Sequence, residues 1–451
     1  MPKWNDTHTH NIICDTIAFM KKIIIIVSMV RRSTRKRIAT DYYRNHDDHV
    51  IESSKKKKTS RKNNPSKKVA IENESITKKK KEKTNKNDKS TTTRKRNDYD
   101  DDTIRNFKIL SEDLIQTIAP DNPWIDLNVP PEELRPSATL KTGQCFSWMV
   151  VSTKNTSHDD DNDKAESAWG RHDETEWIGP LTFQSKRYVF SIKETPTTTM
   201  YRVLYSSDDD NNDEEKEQQQ QQQVKEVLYN YFQLQIPLQP LYNGWSQNCQ
   251  RCSKIAKVIP GVRILRQDPL ECLFSFLCSS NNNIPRITQL VTKLRQNYGI
   301  PLLDIPIVTD SNNGRSTKKT IYSFPTLSSL QKKATEEQLR QWGFGYRANF
   351  IIQTRDMILQ KGGLEYFYKL RTRSMEEVQD ELCQFTGVGR KVADCVALFS
   401  LDKMNDIPVN VHVQRMAIRN YHFSTTQKNL TRTVYKKVGD LFCQLFPNYA
   451  G

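Results

Sequence analysis

Lys391 stands two residues after Gly389 in the run Phe385-Thr386-Gly387-Val388-Gly389-Arg390-Lys391. A turn with two glycines lets backbone come close to another chain. The helix leaving it offers N–H groups and the positive end of its dipole. That suits one phosphate of a nucleic-acid strand, bound without reading sequence. A lysine in the first turn of such a helix, beside Arg390, has two readings: a phosphate-contacting cation or an amine nucleophile. Cys249 and Cys252 form the one C-x-x-C of the chain. Without a second pair or matching histidines they are weak evidence for zinc, so no metal site is expected.

These residues need helices to place them, and the sequence marks several. Asp268-Pro269-Leu270-Glu271 reads as an N-cap, a proline at the first helical position and an acid three after the cap. Leu273, Phe274, Phe276 and Leu277 make the following helix apolar nearly all round, which places it in a core. Ser374-Met375-Glu376-Glu377 is a capping box, opening a helix that ends in the glycine turn. A further helix runs from Arg390 to about Leu401, and Asn410 is placed to cap another ending near Asn420. From about residue 259 onward the pattern is helical. Upstream, Gln144 to Val151, Trp177 to Phe183, Tyr188 to Ile192 and Tyr201 to Tyr205 have the composition of a small antiparallel sheet. Val224 to Phe232 reads as an amphipathic helix.

Only 36% of the 451 residues are hydrophobic, too few unless folded domains are diluted by polar sequence. The expected division is a tail over 1–105, a sheet domain over 106–258 and a helical domain over 259–451. The tail is poor in aromatics and rich in Lys, Asn, Ser and Thr, a composition expected to stay disordered. Residues 1–97 hold 27 basic against 10 acidic residues, whereas the whole chain has 69 and 53. The excess positive charge is therefore in the tail, and bulk charge alone does not make the rest a nucleic-acid binder. Basic clusters such as Lys78 to Lys83 suit nuclear import or extra phosphate affinity. The nucleus is the expected location, with the mitochondrion a second destination if residues before Met29 act as a targeting segment. Asp159 to Asp163, and Asp208 to Glu217 with the glutamine tract Gln218 to Gln223, are expected as low-complexity loops. The longest purely apolar run, Ile23 to Val27, falls far short of the roughly 20 residues of a membrane span, so no membrane partner is expected.

Residues 381–412, through GVGRKVADC to PVNVH, resemble the catalytic region of the 8-oxoguanine DNA glycosylase/lyases, members of the helix–hairpin–helix superfamily. GQCFSW at 143–148, LRQDPLECLFSFLCSSNNNIPRI at 265–287 and GFGYRA at 343–348 extend the resemblance over most of 107–451. It implies an α+β fold in which a TATA-binding-protein-like antiparallel sheet domain packs on a helical helix–hairpin–helix domain. It also implies a monomer acting on double-stranded DNA that contains oxidised guanine opposite cytosine. Such an enzyme flips the base out, cuts its glycosidic bond and nicks the abasic strand. Lys391 matches the Schiff-base lysine that attacks C1′. Asn281 matches the residue filling the gap left by the flipped base, Arg286 and Arg347 the contacts to the orphaned cytosine, and Tyr346 the wedge beside it. Extrusion costs a few kcal/mol, so polar and aromatic groups must replace what leaves the stack. Gly143, Cys395, Pro408 and Asn410 fall at positions that hold the base, though Cys395 also reads as a small core residue. Gly387, Gly389 and His412 fall at phosphate contacts. No cofactor is implied, because only Cys443 follows Cys395 and a four-cysteine iron–sulfur cluster needs more.

Three departures stand out. Thr386 replaces the hairpin's usual proline. Asn410 stands where the family has its catalytic aspartate; it caps a helix equally well but carries no charge and takes up no proton. The sequence stops at Asn448-Tyr449-Ala450-Gly451, where the family continues into a helix that reads and stacks the flipped base. A truncated gene model and an open base pocket are the expectation; the alternative to a base-excision enzyme is a lesion- or abasic-site-binding protein, or an abasic-site lyase with lost or weakened excision.

Overall fold

The computed structural model describes residues 123–152, 176–207, 214–310, 315–427 and 429–451. The basic tail and the first acidic insert lie outside them. Five strands form an antiparallel sheet: β1 (Ile125–Asp126), β2 (Met149–Ser152), β3 (Glu176–Phe183), β4 (Lys186–Glu194) and β5 (Thr199–Ser206), in the order β1-β5-β4-β3-β2. Side chains alternate between the faces with period two. Trp177, Leu181, Tyr188, Phe190, Ile192 and Tyr201 pack with Val224, Val227, Leu228 and Phe232 of helix α2 (Glu214–Tyr231), which follows the short α1 (Pro136–Thr139). Ile178, Val189 and Leu204 face the opposite way.

Three expectations need correction. Of the run from Gln144 to Val151, only Met149 onward pairs as strand. The earlier part is a loop, pinned by the buried Gln144 side chain. Its Nε2 donates to the carbonyl of Arg263 at 2.9 Å and its Oε1 accepts from the N–H of Leu265 at 2.9 Å. Gln218 to Gln223 continue α2 instead of looping, in keeping with the good helix propensity of glutamine. The stretch after residue 259 is not all helix: β6 (Pro301–Asp310) and β7 (Arg315–Tyr322) form a separate antiparallel hairpin. Ile305 and Ile321 of that hairpin cover Ile178, Val189 and Leu204, so the second apolar face of the sheet is buried too.

The helices run α3 (Leu238–Asn248), α4 (Gln250–Val258), α5 (Pro269–Leu277), α6 (Ile284–Tyr298), α7 (Leu327–Lys333), α8 (Glu336–Gln341), α9 (Arg347–Gln360), α10 (Leu364–Arg371), α11 (Met375–Cys383), α12 (Arg390–Ser400), α13 (Val411–Tyr421) and α14 (Arg432–Leu445). Asp268 caps α5, accepting from the N–H of Glu271 at 2.9 Å. Leu270, Cys272, Leu273, Phe274, Phe276 and Leu277 of α5 are all buried, and the Phe276 ring stacks on Phe399 of α12 at 5.6 Å. The Ser374 capping box of α11 is formed in both directions. α5 thus fixes α12, the helix that begins with Arg390 and Lys391. Among the described residues no helix is long and apolar enough to cross a membrane.

Candidate active site

Lys391 lies in the first turn of α12, behind the Gly387-Val388-Gly389 hairpin. The N–H groups of Val392 and Ala393 bond the Gly389 carbonyl at 2.9 and 3.0 Å, closing that turn. The two glycines do different jobs. Gly387 has φ of 82°, in the region L side chains rarely adopt, and a Cβ there would stand 2.3 Å from the Phe350 ring. Gly389 has φ of −92° and a Cβ on it would meet nothing within 4 Å. Its backbone is therefore ordinary and its outer side open, and among the described residues no side chain caps α12. The N-terminus of α12 is thus open on the Gly389 side, and a helix end of this kind favours anions.

One turn along, Cys395 is 2% exposed. Burial pushes its thiol up to about 12, while the Lys391 charge acts on it in the opposite sense. The sulfur is therefore a neutral thiol around neutral pH.

Asn410 caps α13: its Oδ1 accepts from the N–H of His412 at 2.8 Å and of Val413 at 3.0 Å. His412 is thereby fixed in the first turn, half-buried, and Pro408 is half-buried two residues before the cap. A set of side chains that the sequence reading missed ties this cap to the lysine helix. Tyr435 of α14 donates to Asp394 of α12, and its oxygen accepts from the N–H of Val409 at 3.1 Å. Gln379 of α11 donates to both Asp394, at 2.9 Å, and Asp406, at 3.1 Å. Arg390 reaches Asp394 at 3.2 Å. Burial pushes both carboxyls up, Asp394 to about 6 and, with the neighbouring Asp394 charge adding to it, Asp406 to about 8. Both carboxyls therefore hold their protons to higher pH than an ordinary aspartate does. No local signal announces them, since Asp394 and Tyr435 are 41 residues apart.

The expected orphan-base residues converge on one exposed patch. Asn281, at the positive φ of 49°, follows Ser280, whose carbonyl accepts from Tyr346 Oη at 3.1 Å and from the Arg347 guanidinium. Arg347 also lies under the Tyr346 ring, 4.7 Å from its centroid. Arg286, in the first turn of α6, donates to the Gly343 carbonyl at 2.9 Å. Tyr346 is 39% exposed, unusual for a ring with so many partners. It meets Phe350 edge-on at 5.5 Å, and Phe350 is the ring that forbids a side chain at Gly387. Phe350 thus touches both the patch and the hairpin.

Gly143 sits at φ of 77° in the loop pinned by Gln144. Gln267 donates to the Gln144 carbonyl at 2.8 Å, and Phe146 meets Phe276 of α5 at 6.1 Å. The loop thus rests on the same α5 that supports α12. Thr386, in the place of the hairpin proline, keeps its turn by accepting at its carbonyl from Thr354 Oγ1 at 3.2 Å.

A sheet buttressed by one helix, joined to a helical body whose glycine hairpin presents a lysine, defines the class: a helix–hairpin–helix DNA glycosylase fold. Comparison with known proteins narrows it. The family model "8-oxoguanine DNA glycosylase, N-terminal domain" matches residues 126–273. The chain is 38% identical over 226 residues to the N-glycosylase/DNA lyase OGG1 of Arabidopsis thaliana, covering 50% of this chain and 58% of that one. It is 38% identical over 223 residues to the N-glycosylase/DNA lyase of Saccharomyces cerevisiae, covering 47% and 56%. It thus spans somewhat over half the length of these relatives. The apo 8-oxoguanine glycosylase/lyase of Clostridium acetobutylicum superposes with a TM-score of 0.51 at 26% identity, over 72% of this chain and 91% of that one. The same enzyme bound to duplex DNA with cytosine opposite 8-oxoguanine gives 0.52 at 26% identity, over 72% and 89%. In sequence and in fold the chain is thus similar to the 8-oxoguanine DNA glycosylases.

Proposed function

We propose that the protein removes 8-oxoguanine opposite cytosine from duplex DNA and then nicks the abasic strand, acting as a monomer. Lys391 is the nucleophile. Its amine attacks C1′, the base leaves, and the imine that forms acidifies the C2′ proton, so that β-elimination breaks the strand on the 3′ side. The observation that carries this reading is a single arrangement: Lys391 behind an open hairpin, with Asn281, Arg286, Tyr346 and Arg347 gathered on a patch joined to that hairpin through Phe350. The hairpin suits a phosphate; the patch suits the space and the partner left by an extruded base. Gly143, Cys395 and Pro408 offer the base a carbonyl, an apolar sulfur and a rigid ring. Incision of an 8-oxoguanine:cytosine duplex tests it: Lys391→Gln is expected to lose strand cleavage while keeping its melting temperature. A variant that cut as fast as the parent would refute the assignment.

A second reading, abasic-site cleavage with little base excision, is favoured by Asn410. Its amide oxygen accepts two backbone N–H groups and the group carries no charge to oppose the positive charge that grows on the sugar. Attack on the open-chain aldehyde of an abasic site does not need that help. Rates on lesion and abasic duplexes separate the two, since equal rates contradict the second reading.

A further inference from the structure

One motif remains without a role: Cys249-Gln250-Arg251-Cys252. Cys249 is the N-cap of α4, and its sulfur accepts from the N–H of Cys252 at 3.3 Å. Both sulfurs lie 3.9 Å from the hydroxyl of Tyr421, the last residue of α13. Both thiols are half-buried, whereas Cys145, Cys272, Cys278 and Cys395 are buried. A cysteine as N-cap with another at the third helical position is the placement in which a helix start activates one thiol beside a partner. The two environments differ. Burial works against the Cys249 thiolate, yet hydrogen bonds from the Cys252 thiol and N–H and from Tyr421 bring it below the ordinary value. Burial, then the Cys249 thiol and charge, pushes Cys252 up to about 12. A structural zinc needs four donors, and among the described residues no group of three His, Cys, Asp or Glu forms.

We propose that Cys249 and Cys252 form a reversible dithiol–disulfide site oxidised by hydroperoxides. The Cys249 thiolate attacks one peroxide oxygen, the O–O bond breaks, and an alkoxide or hydroxide leaves, which makes Cys249 a sulfenic acid. The Cys252 sulfur then attacks Cys249, and its proton departs with the sulfenic hydroxyl as water. The sum is two thiols and one hydroperoxide going to a disulfide, an alcohol and water (two waters when the oxidant is hydrogen peroxide). The disulfide replaces the sulfur–Tyr421 contacts that join α4 to the C-terminal end of α13. A dithiol reductant restores them.

The test is differential alkylation and peptide mass spectrometry on the full chain after graded hydrogen peroxide. A Cys249–Cys252 disulfide is expected to form about tenfold faster than oxidation of the exposed Cys383, and to disappear with dithiothreitol. Cys252→Ser should leave Cys249 as a sulfenic acid that dimedone captures. Oxidation of Cys249 at or below the rate of Cys383 overturns the proposal, as does a parent protein whose pair ends in overoxidised acids without passing through the disulfide.

Discussion

In the proposed reaction, Asn410 and the two hairpin glycines are the positions where single residues matter most. Asparagine and aspartate are nearly equal N-caps, so Asn410→Asp should leave the melting temperature almost unchanged. It supplies the missing charge and a proton acceptor, and a positioned group of that kind is worth about 10²–10⁴ in rate. Single-turnover excision of 8-oxoguanine should therefore rise steeply in Asn410→Asp, while cleavage of a preformed abasic site changes little. Parallel gains on both substrates would contradict this division of labour. The glycines separate structure from binding. Gly387→Ala forces both a left-handed backbone and a clash with Phe350, an expected loss of about 1–3 kcal/mol. Gly389→Ala meets open space but loses a better N-cap residue, so it should cost about 0.5–1 kcal/mol, while its methyl group is expected to occupy the phosphate's approach and weaken duplex binding. Chemical denaturation and a binding isotherm on the same two variants check both halves.

At the scale of elements, Asp394, Asp406, Gln379 and Tyr435 join α11, α12 and α14 to the segment that ends in Asn410. In the unfolded chain an aspartate titrates near 3.9. With both folded values raised, the folded state binds more protons than the unfolded one between about pH 4 and about pH 8. Stability therefore falls as pH rises through that window. Asp406→Asn keeps the Gln379 contact without a proton to lose, so its melting temperature should depend less on pH and exceed the parent's at pH 8. A thermal-melt series from pH 5 to 8 reads this directly; parallel curves for the two proteins would show that Asp406 gives up no proton in this window. This network was invisible in the sequence because its hydrogen-bonded pairs are 15 to 41 residues apart and each member looks ordinary locally. The caps were legible for the opposite reason. Asp268, Ser374 and Asn410 each bond backbone two or three residues away, so type and spacing alone announced the starts of α5, α11 and α13. The β6–β7 hairpin was read as part of a helical stretch, since its apolar residues are explained only by the sheet face they cover.

At the scale of the molecule, the catalytic reading depends on two groups being held in one frame. The lysine hairpin and the patch at 280–286 and 343–347 come from distant parts of the chain, and Phe350 with Tyr346 joins them. Most of these site residues were legible through the resemblance of whole segments; what the sequence left unsaid was the asymmetry of the glycines and the support beneath Lys391. The most direct measurement is borohydride trapping on an 8-oxoguanine:cytosine duplex and on an abasic duplex. In the proposed reaction, reduction captures the imine between Lys391 and the sugar as a stable protein–DNA adduct. The account predicts adducts on both duplexes for the parent and on neither for Lys391→Gln. An adduct that persists in Lys391→Gln, or a parent that cleaves the lesion strand without ever being trapped, would contradict it.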